Sequence, residues 1–285
     1  MLYDIFAKIQ ASDKVFTKAE RKVANFVLEY PRDAMYMSIT DLAERCGVGD
    51  TSVFRFCKTL KLNGYQDFKM TLAQSLSNSE NASAMTLSDE INISDSTDEV
   101  CRKLLNTDIA ALNQTFDMMN NEDIRKAITM IENARLIYFF GVGSSGIMAL
   151  EATNKFARVL PNVISTMDSH MQSMASALLG EQDLAVAFSY SGSTKDVIET
   201  LKRAKQNKAK TICITRYAES PLTAYADIVL LCGANEGPFQ GGSLSAKVAQ
   251  LYLLDVLYTE FFKHNYAICD YNKKRTTQSI TSKLL

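Results

Sequence analysis

Two short segments pair glycines with hydroxyl side chains at a density that suits an anion: Gly141-Val142-Gly143-Ser144-Ser145-Gly146 and Ser189-Tyr190-Ser191-Gly192-Ser193-Thr194. Glycine lets backbone N–H groups come close to a phosphate, and hydroxyls add donors without a competing charge. Each segment follows an apolar run, Leu136 to Phe140 and Leu184 to Phe188, that reads as a buried strand. Such turns at the C-terminal ends of parallel strands point to a phosphorylated ligand, and an uncharged lining suits a sugar phosphate. The first segment also matches G-x-G-x-x-G, with Asp168 at the end of the next strand where a ribose-binding acid would sit. A nicotinamide or flavin site, or a turn that serves packing alone, are the competing readings.

A second constellation lies near the N-terminus. Ser38 to Cys46 reads as a short helix, Gly47-Val48-Gly49 as a tight turn, and about Asp50 to Leu60 as a second helix. On the latter, Val53, Phe56, Cys57 and Leu60 form one inward stripe, with Ser52, Arg55 and Thr59 opposite and Lys58 at the border. A helix, a glycine turn and a helix with a polar, basic outer face is the helix-turn-helix arrangement. Arg55 has three available partners in this reading: a guanine edge, a phosphate, or the carboxylates of Glu44 or Asp50. Lys58, Lys61 and Lys69 read as phosphate contacts.

The elements that must position these groups divide at a compositional break. Residues 77–98 hold six serines and five acids with no Lys or Arg, and read as a solvated linker. Residues 1–76 carry 11 basic and 9 acidic side chains, so the rest of the chain holds −3 of the net −1. That asymmetry fits an N-terminal domain facing a polyanion. The expected organisation is a helical domain 1–76, the linker 77–98 and an α/β domain 99–285 within 285 residues. In the first, Thr17-Lys18-Ala19-Glu20 is a capping box opening a helix that stops at Pro31. In the last, Val100, Leu104, Leu105, Ile109, Leu112 and Phe116 make a long amphipathic helix, and Asn121 can cap the next. Strands at about 135–141, 162–166, 183–189, 210–215 and 227–232 then alternate with helices, which predicts an open sheet of five parallel strands covered on both faces.

Hydrophobic residues at 47% and charged residues at 22% are ordinary for a globular protein. No apolar stretch approaches the roughly 18–20 residues of a membrane span. The start, Met1-Leu2-Tyr3-Asp4, lacks the pattern of a secretory signal. The six cysteines show no CxxC spacing, which favours reduced thiols in a cytoplasm over disulfides or zinc.

Phe188 to Ile198, together with Gly141 to Gly146, resembles the sugar isomerase (SIS) domain. Val48 to Lys58, followed by Gly64-Tyr65-Gln66-Asp67-Phe68-Lys69, is similar to the DNA-binding half of RpiR-type bacterial transcriptional regulators. The order helix-turn-helix, linker, SIS domain matches that family over nearly the whole chain. The resemblance implies a cytoplasmic repressor or activator, homodimeric or homotetrameric, that binds an operator in double-stranded DNA and responds to a phosphosugar effector. Carried onto this chain, effector contacts fall at Ser144, Ser145, Ser189, Ser191, Ser193 and Thr194, with Asp168 and His170 matching an aspartate-x-histidine element. DNA contacts fall at Asp50, Thr51, Ser52, Arg55 and Lys58. Gly49 stands where the family commonly has serine, so the cap passes to Gly49 or Asp50, and Lys61-Leu62-Asn63 replaces the usual turn after the helix.

The alternative function is a phosphosugar isomerase, which needs a base beside the sugar. The chain has only His170 and His264, with Glu151 and Glu199 on helices after the loops. No metal set or Ser-His-Asp arrangement is readable, so the expectation is a regulator with no catalytic residues, no cofactor and no metal. A protein-binding SIS adaptor is the third reading.

Overall fold

Side-chain caps set the helix ends of the first part of the chain. Thr17 accepts from the Glu20 N–H while the Glu20 carboxylate accepts from the Thr17 N–H, so α2 (Lys18–Glu29) opens on the expected capping box. Pro31 occupies the first turn of α3 (Pro31–Tyr36), where its missing N–H costs nothing. Ser38 and Asp41 cap α4 (Ile39–Arg45) in the same reciprocal way. With α1 (Ile5–Ala11), α5 (Asp50–Thr59) and α6 (Tyr65–Glu80) these helices enclose one core. Phe56 lies at its centre, fully buried, with ring centroids 5.3 Å from Phe16 and 5.5 Å from Phe68.

The structure is a computed structural model that describes residues 5–80, 91–233 and 244–281. These fall into two compact units that divide between Thr107 and Asp108, within α7 (Thr97–Met118). Of the expected linker 77–98, residues 81–90 lie outside the described residues, 77–80 complete α6, and Thr97 opens α7.

The second unit contains α8 (Asn121–Asn133), β1 (Leu136–Phe140), α9 (Ser144–Phe156), β2 (Val163–Ser165), α10 (Ser169–Leu178) and β3 (Asp183–Phe188). It continues with α11 (Lys195–Gln206), β4 (Lys210–Thr215), β5 (Ile228–Leu231), α12 (Leu244–His264) and α13 (Tyr266–Thr281). The five strands form one parallel sheet in the order β2-β1-β3-β4-β5. The strands are apolar on both sides because both faces are covered. Residues of α8, α9 and α12 pack on one face around Phe139, Phe188 and Ile214. Residues of α11 pack on the other around Phe140, Ala187 and Cys213. Burial pushes the Cys213 thiol up to about 12, so it is a neutral core side chain.

Two expectations change. Asn120, not Asn121, caps α8, accepting from the N–H groups of Glu122 and Asp123. In α7 the inward positions are Ala111 and Thr115, whereas Leu104, Leu105, Ile109 and Phe116 are exposed. At Ala111 and Thr115 the packing is close: Gly233, just after β5, donates its N–H to Thr115 Oγ1 at 2.9 Å, and a Cβ on it would lie 2.7 Å from the Thr115 nitrogen. Only small residues fit that side of the helix.

Candidate phosphate site and DNA-binding helix

The strand order reverses between β1 and β3, which are hydrogen-bonded neighbours with Phe140 level with Ala187. The chain leaves β1 toward α9 on one face and β3 toward α11 on the other. Both hydroxyl-rich turns therefore sit side by side at the crevice of a doubly wound sheet, the place where such folds take ligands.

In the first turn, a Cβ on Gly141 would lie 2.4 Å from the Ser145 carbonyl oxygen, so only glycine permits the chain to fold back so tightly. Gly143 caps α9 at φ 56°, and Ser144 and Ser145 open the helix half-buried, with no acidic residue in its first turn. The free N–H groups there carry positive potential that no side chain offsets.

A residue that the sequence reading did not single out holds this turn. Gln172, buried on α10, accepts from the Gly141 N–H at 3.2 Å and donates to the Gly141 carbonyl at 2.7 Å and the Thr166 carbonyl at 2.8 Å. Its amide ties the end of β1 to the end of β2. Nothing in the local sequence marks a mid-helix glutamine for this role.

In the second turn, Ser189 is buried and its hydroxyl has no hydrogen-bond partner among the described residues. A buried hydroxyl left so costs about 1–3 kcal/mol, which a ligand oxygen would relieve. Ser191 and Ser193 bond each other's backbone, Ser193 N–H to Ser191 Oγ at 3.2 Å and Ser193 Oγ to the Ser191 carbonyl at 3.1 Å. Thr194 caps α11 with its backbone alone, which leaves its hydroxyl uncommitted to the helix. The end of β4 and the residues after it brace this turn. Thr215 Oγ1 and the Arg216 N–H both donate to the Tyr190 carbonyl, and the Leu222 N–H donates to the Gly192 carbonyl. Gly192 has φ +60°, and a Cβ there would meet Ser220 Oγ at 2.1 Å. The Ser220 hydroxyl is buried and unpartnered like that of Ser189, a second group that the sequence reading missed.

Asp168 is a helix cap: its Oδ1 accepts from the Met171 N–H at 2.8 Å at the start of α10. His170, in the same turn, is exposed and bonded to neither glycine turn. Glu199 pairs loosely with Lys195 at 3.8 Å, Glu151 accepts from Asn154, and His264 lies 3.8 Å from Glu132, between α12 and α8. None of the four is tied to the hydroxyl turns.

In the first unit, α4 ends with Gly47 at φ +61°, the Gly47 N–H bonding the Glu44 carbonyl and the Val48 N–H the Ala43 carbonyl. This left-handed stop turns the chain into α5, whose cap is Gly49, without a side-chain bond. Val53, Phe56, Cys57 and Leu60 are buried as expected. Asp50, Thr51, Arg55 and Lys58 are exposed and Ser52 is half-buried. Asp50 accepts from the Thr40 hydroxyl at 3.3 Å. Lys58 is partly engaged, donating to the Asn63 carbonyl at 2.7 Å and lying 5.2 Å from the centre of the exposed Phe54 ring.

Two outward expectations fail. Thr59 donates to Glu20 Oε1 at 2.9 Å, joining α5 to the capping box of α2. Lys69 is buried and donates to the Met37 carbonyl at 3.1 Å, so it is a structural strut and not a phosphate contact. Burial pushes the Glu20 carboxyl up, but the Thr17 N–H and hydroxyl, the Thr59 hydroxyl and the Arg55 charge outweigh it. The carboxyl therefore lies below the usual carboxylate range, and the electrostatic partner of Arg55 is Glu20, which the sequence reading did not name.

Known proteins match this arrangement along its length. Residues 3–79 match the helix-turn-helix domain of the rpiR family, and residues 130–260 match the SIS domain. An HTH-type transcriptional regulator of Clostridium perfringens is 36% identical over 264 residues, covering 93% of this chain and 94% of its own. The regulator HexR of Escherichia coli is 31% identical over 277 residues, covering 97% and 94%. The solved structure of Vibrio vulnificus NanR complexed with ManNAc-6P has a TM-score of 0.88 at 26% identity and covers 99% of each chain. The Clostridium and Escherichia relatives, matched over nearly their whole length, are HTH-type transcriptional regulators, which sets the isomerase alternative aside. The chain belongs to the rpiR family of HTH-type transcriptional regulators, a DNA-binding helix-turn-helix joined to a SIS domain.

Proposed function

We propose that a sugar phosphate held between the two hydroxyl turns controls how tightly the helix-turn-helix grips its operator. The observation that carries this reading is the buried, unpartnered Ser189 hydroxyl at the β1/β3 crevice, beside a second glycine turn. The ester oxygens are taken by the N–H groups opening α9 and α11 with Ser144, Ser145, Ser189, Ser191, Ser193 and Thr194, and His170 meets the sugar body. NanR, similar over its whole length, is a regulator complexed with a sugar phosphate, which supports the same ligand class. The N-terminal domain, 1–76, meets duplex DNA through Asp50, Thr51, Ser52, Arg55 and Lys58, with Arg55 the group best placed to read a base.

The working form is a homodimer or homotetramer in the cytoplasm. An apolar strip on the second unit supports self-association: Ile147 and Leu150 on α9, Ile164 on β2, and Met171, Met174 and Leu178 on α10 are all exposed. Two copies place paired recognition helices on half-sites about one helical turn apart, roughly 34 Å. The effector changes the relative stability of two arrangements of the copies. Helix α7, in which the two units divide, is the continuous element between them.

The test is fluorescence anisotropy on a labelled duplex from the chain's own upstream region, titrated with phosphorylated hexoses, N-acetylhexosamines and sugar acids. One class should shift operator affinity; Ser189→Ala should abolish the shift and retain DNA binding, and Arg55→Ala should abolish the preference for the operator over other duplexes. A shift that survives Ser189→Ala and Ser145→Ala together would refute the site.

A further inference from the structure

A groove of about 370 Å³ lies at the other end of the SIS sheet. One wall is residues 157–161, which join α9 to β2; the other is a face of α13. Two bonds hold the walls together: Asn272 Nδ2 donates to the Val159 carbonyl and Thr276 Oγ1 to the Arg158 carbonyl, each at 2.9 Å. Because β2 begins at Val163, the groove sits at the N-terminal ends of the strands, whereas the hydroxyl turns crown their C-terminal ends. Helix α9 begins in the first turn and ends at the groove, and its 13 residues put the two about 20 Å apart.

The lining is cationic. Arg158 and Arg275 both face the groove, with Asn272, Thr276 and Ser279 beside them and no Asp or Glu among the lining residues. The cations around it are already occupied: Lys155 pairs with Asp255, Lys274 with Asp270, and Lys273 lies over the Phe262 ring. The two arginines form no ion pair with any described residue; Arg275 has only the Tyr271 ring, 5.5 Å from its guanidinium carbon. Both are exposed, so their charge is open to a ligand. Val159, Leu160 and Pro161 add an apolar floor. The volume falls within the roughly 300–1,000 Å³ typical of small-molecule pockets.

We propose that this groove is a second ligand site, taking a small anion whose phosphate or carboxylate oxygens lie between Arg158 and Arg275. Guanidinium forks match either oxyanion bidentately, and the apolar floor takes the carbon body of a metabolite. The site is independent of the hydroxyl turns and shares no residue with them.

The experiment is isothermal titration of the full-length chain with pyrophosphate and, separately, citrate. It is run on a Ser145→Ala/Ser189→Ala background, so that the crevice at the other end of the sheet is silenced. Saturable binding of at least one probe is expected, weakened about tenfold or more by Arg158→Gln and by Arg275→Gln. Both arginines are exposed, so thermal midpoints of the variants without anion should match the parent and separate lost binding from lost folding. No saturable binding of either probe, or binding indifferent to both arginine replacements, overturns the proposal.

Discussion

Replacing Gln172 by leucine tests the claim that one buried amide positions the first phosphate turn. Leucine keeps most of the volume, so the change removes hydrogen bonds with little cavity. Three backbone groups lose their partner: the Gly141 N–H, the Gly141 carbonyl and the Thr166 carbonyl. Gly141 is buried, so water cannot replace the amide there; Thr166 is half-buried and can be rehydrated. Counting the two Gly141 groups at about 1–3 kcal/mol each gives a loss of about 2–4 kcal/mol after relaxation. In a unit of this size that lowers the thermal midpoint by about 5–15 °C. Because the freed turn is the one that opens α9, effector affinity should also fall about tenfold or more, while Arg55-dependent duplex binding by the first unit persists. Gln172→Glu discriminates further, since a carboxylate still accepts from the Gly141 N–H but sets negative charge against two carbonyls. It should be at least as damaging at neutral pH and partly restored as the acid protonates. Scanning fluorimetry with effector titration reads both quantities. A midpoint that moves by less than about 2 °C with an unchanged effector response would refute the reasoning.

Gly192→Ala forces a non-glycine residue to φ +60° and drives its methyl into Ser220, costing about 1–2 kcal/mol for the backbone alone, with the clash added; the effector response should vanish in the anisotropy assay. Lys69→Met removes a buried strut without touching the outer face of α5, so chemical denaturation should show a loss of about 1–2 kcal/mol while operator affinity changes less than about twofold. Glu20 has a folded pKa below its unfolded value, so its contribution is present above the unfolded pKa of 4.5 and lost as pH falls through the folded one. Urea midpoints of the first unit should therefore drop between pH 6 and pH 3, and Glu20→Gln should flatten that part of the profile. Lys58→Ala should weaken binding to all duplexes alike and lower the salt slope by about one, whereas Arg55→Ala should erase discrimination between sequences.

The elements were legible because their signals are local. Thr17 with Glu20 and the glycine at 47 each act within a few residues of themselves, and both do in the structure what their spacing predicts. The five strands were legible because a sheet buried on both faces must be apolar along its length. What misled was exposure inferred from period alone. Thr59 falls on the polar side of α5 and the charge of Lys69 suggested a phosphate contact, yet each finds a partner elsewhere in the fold, the Glu20 carboxylate of α2 and the Met37 carbonyl between α3 and α4. The apolar stripe of α7 led to the reverse error: Leu104, Leu105, Ile109 and Phe116 are exposed, and the side of the helix that Gly233 approaches carries Ala111 and Thr115.

The sequence by itself determined which segments can wrap an anion, since backbone torsion and hydroxyl supply are properties of the residues in the turn. Only the tertiary structure decided that two of them share a crevice, because adjacency of β1 and β3 arises from strand order, to which no local pattern speaks. The same holds for the groups that hold the turns in place, Gln172 from α10 and Thr215 from β4. A buried amide or hydroxyl acquires its role from the orphaned backbone group it meets across the fold, and that meeting is made by packing.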